Sequence, residues 1–306
     1  MAAKPVVLLA GITGMMGDKI ATAILDEGKM DLKAIVRSGS SNDPDKQKRL
    51  DELKARGVTF VEGDLMDKPS LLKACEGVEV IVSAVNATAN DKIMVDGQTN
   101  LIEAAENKGV KRMIPSDYSV DYRVLDWGDN YNLDLRKKVF NILEQSDLSY
   151  TLILNGCFTD ILFSPYLQVF DFEAGTFSYW GDGETVFDTT TTDYTALYIA
   201  QAVADPELAN AALEIAGDEI TMNQTIATYQ QVTGKELTVK RLGSVTDLEN
   251  WIELKKQTAS SPNEYLPQQY VYTMVSGKGK LDNIRNSRYP QIEPLSVEQY
   301  LKTANF

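Results

Sequence analysis

Histidine is absent from this 306-residue sequence, and cysteine occurs only as Cys75 and Cys157. Without histidine, the chain cannot form a Ser-His-Asp triad, a Cys-His pair or a zinc site with histidine ligands, and we expect no metal site. Two isolated cysteines do not make a disulfide framework, which favours a reducing compartment such as the cytoplasm. Any acid–base chemistry must therefore come from Lys, Tyr, Asp, Glu, Cys, a serine relay or water.

Long apolar runs and excess positive charge are also lacking. No apolar run approaches the roughly 20 residues that span a bilayer. The first run, residues 5–10, is too short for a signal peptide. With 30 basic and 44 acidic residues, the net charge is −14, which repels both a phosphate backbone and anionic lipid. We expect a soluble protein with no nucleic-acid or membrane partner, in which any anionic cofactor is held by local donors.

Apolar and amphipathic segments alternate through the first half of the chain. Such alternation predicts right-handed βαβ units and a Rossmann-type, doubly wound parallel sheet of the α/β class. After about Phe158 the alternation weakens, which predicts a smaller C-terminal α/β region that partly returns to the sheet. The strand patterns lie at residues 6–10, 32–36, 58–61, 78–82, 112–114 and 150–154.

A glycine loop follows the first strand pattern and opens the first helix pattern. The first glycine of such a loop permits a tight turn, the second lets the backbone approach a pyrophosphate, and the third allows close packing of helix on strand. The phosphates then bind free N–H groups at the helix N-terminus. The alternative is an ordinary glycine-rich turn. The residues predicted to contact the cofactor here are Gly11, Thr13, Gly14, Met15, Met16 and Gly17.

The end of the second strand indicates which dinucleotide binds. Enzymes that use NAD place a carboxylate there for the ribose 2′-hydroxyl. This chain has Arg37 and Ser38, followed by residues 39–41, Gly-Ser-Ser. A guanidinium grips a 2′-phosphate, so the sequence predicts NADP(H) rather than NAD(H). The alternative is a solvated arginine at a strand end.

Two further strand ends supply candidate cofactor contacts. Asp64, followed by Leu65, closes the third strand and can accept a hydrogen bond from the adenine amino group, although a turn or helix-cap aspartate is equally compatible. Ser83, Ala84 and Val85 end the fourth strand, where small residues leave room for a dinucleotide. Simple packing is the alternative for these three.

Together these segments resemble the isoflavone reductase-like, NmrA-like branch of the atypical short-chain dehydrogenases. The resemblance covers nearly the whole chain, and Pro-Ser-Asp at 115–117 and Asn-Gly-Cys-Phe at 155–158 are its most specific pieces. The segments that carry it are residues 11–17, 36–37, 63–65, 81–85, 114–118, 150–158, 180–183 and 204–210.

The resemblance implies an NADP-binding Rossmann domain over residues 1–158 and a substrate-binding region over 159–306, with the nicotinamide at their cleft. It also implies an NADPH-dependent reductase that transfers hydride to a small, aromatic enone, quinone-methide-like or carbonyl substrate. The alternative is a non-catalytic NADP(H)-sensing regulator with a protein partner; a homodimer is a further expectation. Residues implied at the nicotinamide end are Ser116, Asn155, Gly156, Cys157 and Phe158, with Gln98 as a further contact. Cys157 is interpreted as a small buried thiol rather than a nucleophile.

The catalytic residue departs from the family pattern. None of the fourteen tyrosines has lysine four residues later, so the Tyr-x-x-x-Lys chemistry of conventional short-chain dehydrogenases is absent. The reductase branch resembled here uses a lysine at the start of the helix before the sixth strand, where this chain has Arg136, Lys137 and Lys138. A gap-free alignment puts Arg136 at the family's lysine.

Two interpretations of this basic cluster remain open. In one, Lys137 faces the cleft and donates the proton. In the other, Arg136 fills the position and stabilises an oxyanion, while Tyr118 or water supplies the proton or the protein only binds cofactor. A solvated basic cluster is the alternative to both.

Aromatic residues recur after the sixth strand. An apolar pocket for an aromatic substrate is one interpretation, and ordinary core packing is the other. The residues concerned are Phe158, Phe163, Tyr166, Phe170, Phe172, Trp251 and Tyr265.

Overall fold

The computed structural model describes residues 4–38, 43–86 and 91–304, which form two compact units. The sequence suggests one boundary, after residue 158. The units are interleaved instead, because Ala196–Leu213 from the C-terminal half completes the first unit. The first unit comprises the residues up to Asp117, Leu135–Ile153 and Ala196–Leu213, and the second comprises Tyr118–Asp134, Leu154–Thr195 and the residues from Glu214 onward.

The strands confirm the predicted alternation in the first half and add short strands that the sequence did not reveal. They are β1 (Val6–Ala10), β2 (Asp31–Val36), β3 (Thr59–Glu62), β4 (Val80–Ser83), β5 (Arg112–Ile114), β6 (Ser149–Leu154), β7 (Cys157–Phe158), β8 (Phe170–Asp171), β9 (Thr176–Trp180), β10 (Phe187–Thr190), β11 (Ala211–Glu214), β12 (Asp218–Ile220) and β13 (Thr238–Gly243).

The helices follow the same order. None of those in the described part of the chain combines the length and the apolar character needed to cross a membrane. They are α1 (Met15–Glu27), α2 (Pro44–Ala55), α3 (Lys68–Ala74), α4 (Gln98–Lys108), α5 (Tyr131–Glu144), α6 (Thr159–Leu162), α7 (Thr192–Val203), α8 (Met222–Thr233), α9 (Val245–Thr258), α10 (Leu266–Val275) and α11 (Val297–Thr303).

Seven strands form the sheet of the first unit, in the order β11-β6-β5-β4-β1-β2-β3. β1 pairs in parallel with both β2 and β4, so the order of the sheet reverses beside β1. In open α/β sheets, ligands bind at such a switch point, beyond the carboxyl ends of the strands. This arrangement confirms the predicted Rossmann-type class and places the glycine loop at the switch point.

Burial explains why these segments read as strands and helices. Four of the five residues of β1 are fully buried, as expected for a parallel strand covered on both faces. α1 turns its buried side, including Ile20 and Ile24, toward the sheet and ends at Gly28, whose φ of +67° is a left-handed cap. Leu8, Ile81 and Met113 of the sheet belong to a core cluster that they share with residues of α3, α4 and α5.

A buried arginine caps one helix of the first unit. Arg112, only 5% exposed, donates from its guanidinium to the carbonyl oxygens of Ala202 (3.0 Å) and Val203 (2.7 Å) and to that of Asp205. These carbonyls lie at the C-terminal end of α7, where backbone acceptors lack intrahelical donors and a positive charge is favourable. The sheet therefore anchors α7 through one side chain.

The second unit contains two three-stranded sheets, β12-β10-β7 and β13-β9-β8. β7 pairs in parallel with β10, which joins Cys157 to Thr189 and Phe158 to Thr190. The core of this unit contains Phe163, Phe170 and Phe177 together with residues of α8 to α11. Helices α10 and α11 were not anticipated from the sequence.

Candidate dinucleotide-binding and catalytic site

The glycine loop makes the close approaches that its spacing predicts. Gly11 has a φ of +94°, and a Cβ atom there would lie 2.6 Å from the carbonyl oxygen of Ala84. A Cβ atom on Gly17 would lie 2.0 Å from the carbonyl oxygen of Gly11. A Cβ atom on Gly14, by contrast, would lie 3.4 Å from its nearest neighbour atom in the described chain, the carbonyl oxygen of Gly11. The first and third glycines are therefore required by the fold, whereas a Cβ atom at the second would make only an ordinary van der Waals contact.

Helix α1 begins directly after the second glycine of the loop. Gly14 is its N-cap, without a side-chain cap, and Gly14 itself donates to the carbonyl oxygen of Gly11 over 3.0 Å. Thr13 and Met15 are exposed, and Met16 is half-buried. The first N–H groups of a helix lack intrahelical acceptors and carry the positive end of its dipole. The loop therefore presents donors suited to a phosphate.

A cavity of about 470 Å³ extends from the glycine loop across the ends of four strands; we call it the dinucleotide cleft. It joins the loop to the ends of β2, β3 and β4, as the order of the strands requires. Its described lining consists of Ala10, Gly11, Thr13, Gly14, Ile35, Val36, Arg37, Gly63, Asp64, Leu65, Ala84, Val85, Asn86 and Ile93.

A second cavity of about 450 Å³ shares Arg37, Gly63 and Asp64 with this cleft; we call it the ribose pocket. Its other described lining residues are Ser38, Glu62, Asp67 and Ser70. Arg37 is exposed, at the end of β2. The Gly-Ser-Ser segment at 39–41, which the sequence suggests as further donors, lies outside the described residues.

Arg37 forms no hydrogen bond or ion pair with any residue in the ranges the structure describes. An exposed guanidinium at the rim of a cavity offers N–H donors to an anion that enters. Its geometry matches that of a phosphate, to which arginine binds in a bidentate manner. The predicted role of Arg37 thus has a suitable setting.

Asp64 combines a local role with a place on the cavity wall. Its Oδ1 atom accepts a hydrogen bond from the backbone N–H of Met66 over 2.8 Å, and its own N–H donates to the Ser70 hydroxyl over 3.0 Å. Asp64 thus stabilises a local turn, as the alternative interpretation expects, and it also lines both cavities. Leu65 is buried and lines the dinucleotide cleft. The adenine contact of Asp64 stays a prediction.

Two predicted cofactor contacts, Ser83 and Gln98, are buried residues whose contact with the cofactor stays a prediction. Ser83 is fully buried within β4, while Ala84 and Val85, beyond the strand end, line the dinucleotide cleft. Gln98 is also fully buried; its Oε1 atom accepts from the N–H of Ser116 over 3.2 Å, and its Nε2 atom donates to the carbonyl oxygen of Met94 over 3.0 Å. Both ends of the Gln98 amide therefore bind protein groups, and its oxygen atom helps to fix the backbone of Ser116.

Ser116 links this support to the basic cluster of α5. The Ser116 hydroxyl donates to the carbonyl oxygen of Val85 over 2.7 Å, beside the dinucleotide cleft. The Nε atom of Arg136 donates to the Ser116 carbonyl oxygen over 3.1 Å. Lys137 is half-buried, and Lys138 is exposed. Arg136 is half-buried like Lys137, and both interpretations of this basic cluster stay predictions.

Sequence reasoning missed two features of this region. The helix predicted from residue 91 onward begins with a π-helical turn, Ile93–Gly97, a rare feature that often marks functional sites. Ile93 lines the dinucleotide cleft. Glu62, which ends β3, lines the ribose pocket beside Arg37. A carboxylate at the end of the third strand was the available signal, but only strand pairing shows that it reaches the pocket.

The remaining candidate residues lie in the second unit. Tyr118 is buried. The backbone N–H groups of Asn155 and Gly156 both donate to the carbonyl oxygen of Ser119, over 2.9 and 3.2 Å. Gly156 has a φ of +67°, and a Cβ atom there would lie 2.2 Å from the carbonyl oxygen of Asp188. The glycine is therefore required by this tight backbone packing, whereas the side chain of Asn155 is fully buried and its contact with the cofactor stays a prediction.

Cys157 and Phe158 form β7. Desolvation, with a smaller contribution from the negative charge of Asp160, raises the pKa of the Cys157 thiol to about 12. A thiol of this kind is uncharged at neutral pH and is a poor nucleophile. This supports the interpretation of Cys157 as a small packing residue.

The aromatic residues after β6 divide between core and surface. Phe163 and Phe170 are buried, with ring centroids 5.0 Å apart, and Phe170 packs edge-on against Phe177 at 4.6 Å. Tyr166 and Phe172 are partly exposed. Core packing thus accounts for Phe163 and Phe170, and a substrate pocket stays a prediction for the others.

Comparisons with known proteins agree with this architecture. Isoflavone reductase homolog P3 of Arabidopsis thaliana is 27% identical, over 97% of this chain and 97% of that protein. The bifunctional pinoresinol-lariciresinol reductase of Forsythia intermedia is 26% identical, over 98% of each. Among solved structures, AtPrR2 with NADP+ and (+)pinoresinol has a TM-score of 0.86 at 23% identity and covers 99% of both chains. The model of the NmrA-like family matches residues 3–301, and the chain therefore belongs to that family, as the resemblance predicted.

Proposed function

We propose that the protein is an NADPH-dependent reductase of small aromatic compounds. The observation that carries the proposal is Arg37, a guanidinium without a described partner, at the far end of a cleft that starts at a phosphate-binding glycine loop. The diphosphate of a dinucleotide would bind the free N–H groups at the N-terminus of α1, and its 2′-phosphate would bind the Arg37 guanidinium. We assign cofactor binding to the first unit and substrate binding to the second.

When bound, the dinucleotide supplies the hydride. The protein must then stabilise the negative charge that develops on the substrate oxygen, and Arg136 is assigned this role. Its contact with the Ser116 carbonyl oxygen holds the guanidinium in place before the reaction, which is the condition for electrostatic stabilisation. Since arginine stays protonated, the proton comes from Lys137, Tyr118 or water.

The substrate class rests on the relatives. A pinoresinol-lariciresinol reductase and an isoflavone reductase homolog are among them, and the similar solved structure holds (+)pinoresinol. We therefore propose an aromatic enone, quinone-methide-like or carbonyl substrate. The scarcity of cysteine favours a cytoplasmic location, and a homodimer is consistent with the proposal.

The test is calorimetry followed by turnover. Cofactor-stripped protein should bind NADPH, and Arg37→Glu should weaken that binding at least tenfold, because a carboxylate would repel the 2′-phosphate. Arg56→Glu, on an exposed arginine paired with Asp26, is the matched control. NADPH oxidation is then followed with aromatic enones, aldehydes and quinones. Failure to bind either dinucleotide would refute the proposal.

A second candidate function is an NADP(H) sensor that signals to a protein partner. It is favoured by one observation, arginine in place of the family's catalytic lysine at residue 136. Tight NADPH binding without turnover across the substrate panel would support the sensor, whereas turnover that depends on Arg136 would support the reductase.

A further inference from the structure

The ribose pocket contains two opposite charges on neighbouring strands. Glu62 is the last residue of β3, and its register partner on β2 is Val36, the residue before Arg37. Both Glu62 and Arg37 are exposed and line the ribose pocket. Like Arg37, Glu62 forms no hydrogen bond or ion pair with another residue of the described chain. Two oppositely charged groups thus face the same cavity without pairing with each other.

These two groups favour different dinucleotides. A guanidinium binds the 2′-phosphate of NADPH. A carboxylate accepts a hydrogen bond from the 2′-hydroxyl of NADH, as the acidic residue of NAD-binding folds does, and repels a phosphate. Replacing the 2′-phosphate by a hydroxyl therefore exchanges a favourable contact with Arg37 for one with Glu62.

Resting on the function proposed above, we propose that Glu62 is a specificity-determining residue that limits the preference for NADPH over NADH. The pocket then accepts both dinucleotides, with Arg37 engaged by one and Glu62 by the other.

The other two acidic residues of the ribose pocket are less suited to this role. One carboxylate oxygen of Asp64 already accepts from the N–H of Met66. Asp67 occupies the N-cap position of α3, where a carboxylate is stabilised by the helix dipole. Glu62 has neither constraint and lies beside the strand that carries Arg37.

The experiment measures dissociation constants of NADPH and NADH for the full chain and for Glu62→Gln. Removing the negative charge should tighten NADPH binding roughly fivefold, and losing the stronger acceptor should weaken NADH binding roughly threefold. The preference for NADPH should therefore rise about fifteenfold. In about 0.5 M salt the gain for NADPH should shrink, because salt screens the repulsion between exposed charges.

Two further variants make the result specific. Glu62→Asp keeps the charge but shortens the side chain, so it should weaken NADH binding while leaving that of NADPH within about twofold. Glu144→Gln makes the same charge change at an exposed position that lines neither cavity, and it should alter neither constant. An unchanged ratio of the two constants in Glu62→Gln would overturn the inference. Absence of any dinucleotide binding by the unaltered protein would instead refute the proposed function itself.

Discussion

The Nε atom of Arg136 donates a hydrogen bond of 3.1 Å to the backbone carbonyl oxygen of Ser116. Ser116 is in turn held by Gln98 through its N–H and by Val85 through its hydroxyl. A guanidinium carries five N–H donors in a fixed plane, so one donor can anchor it while the plane keeps its orientation. A lysine ammonium at this place would be a point charge on a flexible stem.

Arg136 should therefore matter more for turnover than its neighbours on α5. Arg136→Met is expected to lower kcat about 100-fold, the effect of losing one preorganised charge donor, with the Kd for NADPH changed less than about threefold. Steady-state NADPH oxidation and calorimetry measure the two quantities. Lys138→Met, at an exposed position, is the control. If Lys137→Met abolished turnover and Arg136→Met did not, Lys137 would be the catalytic group.

Alanine substitutions at two glycines of the loop should affect stability and NADPH binding differently. Gly17→Ala places a Cβ atom 2.0 Å from the carbonyl oxygen of Gly11 and should destabilise the fold by about 3 kcal/mol. Gly14→Ala has room in the fold and should cost less than about 1 kcal/mol. Because its methyl group occupies the approach to the phosphates, Gly14→Ala should weaken NADPH binding at least tenfold. Urea unfolding and calorimetry test both; normal NADPH affinity in Gly14→Ala would contradict the placement of the diphosphate.

Arg112 should contribute strongly to stability. Arg112→Met leaves the terminal carbonyls of α7 without their buried donors and is expected to cost about 3 kcal/mol in urea unfolding. The control is Arg56→Met, which removes only an exposed pair with Asp26 and should cost less than about 1 kcal/mol. Equal losses would show that the helix end is stabilised by other groups.

The buried thiol of Cys75 should make the protein less stable at alkaline pH. Desolvation raises the pKa of Cys75 to about 11, against the opposing effect of Lys33 and Lys108, whereas an unfolded thiol titrates near pH 8.5. The folded state thus disfavours the thiolate. Below about pH 8.5 the thiol is protonated in both states, and the free energy of unfolding is at its full value. As the pH rises toward 11 only the unfolded state ionises, so the free energy of unfolding falls by roughly 2 to 3 kcal/mol.

Urea midpoints from pH 7 to pH 11 test this sign. Cys75→Ala should be less stable at neutral pH, because it loses a packed sulfur atom, but its stability should fall less steeply above about pH 9. Parallel slopes for the two proteins would show that other groups govern the alkaline transition.

Local patterns predicted the geometry of the glycine loop and the position of Arg37. The glycine spacing after an apolar strand predicted the turn at Gly11 and the packing at Gly17, because both depend on residues close in sequence. Arg37 followed from its place at the end of β2, since strand ends of a parallel sheet meet at one edge. The same reasoning predicted Gln98 and Ser83 as cofactor contacts, but it could not show that both residues are fully buried.

The sequence by itself determined the Rossmann-type alternation, the glycine loop and the charge at residue 37, because each is encoded within a single βαβ unit. Only the tertiary structure decided that Glu62 shares a pocket with Arg37, that Gln98 supports Ser116, and that Arg136 contacts its carbonyl oxygen. Those contacts join residues from different strands and helices, and they depend on strand register and helix orientation. No short-range pattern specifies either, since both result from packing of the whole core.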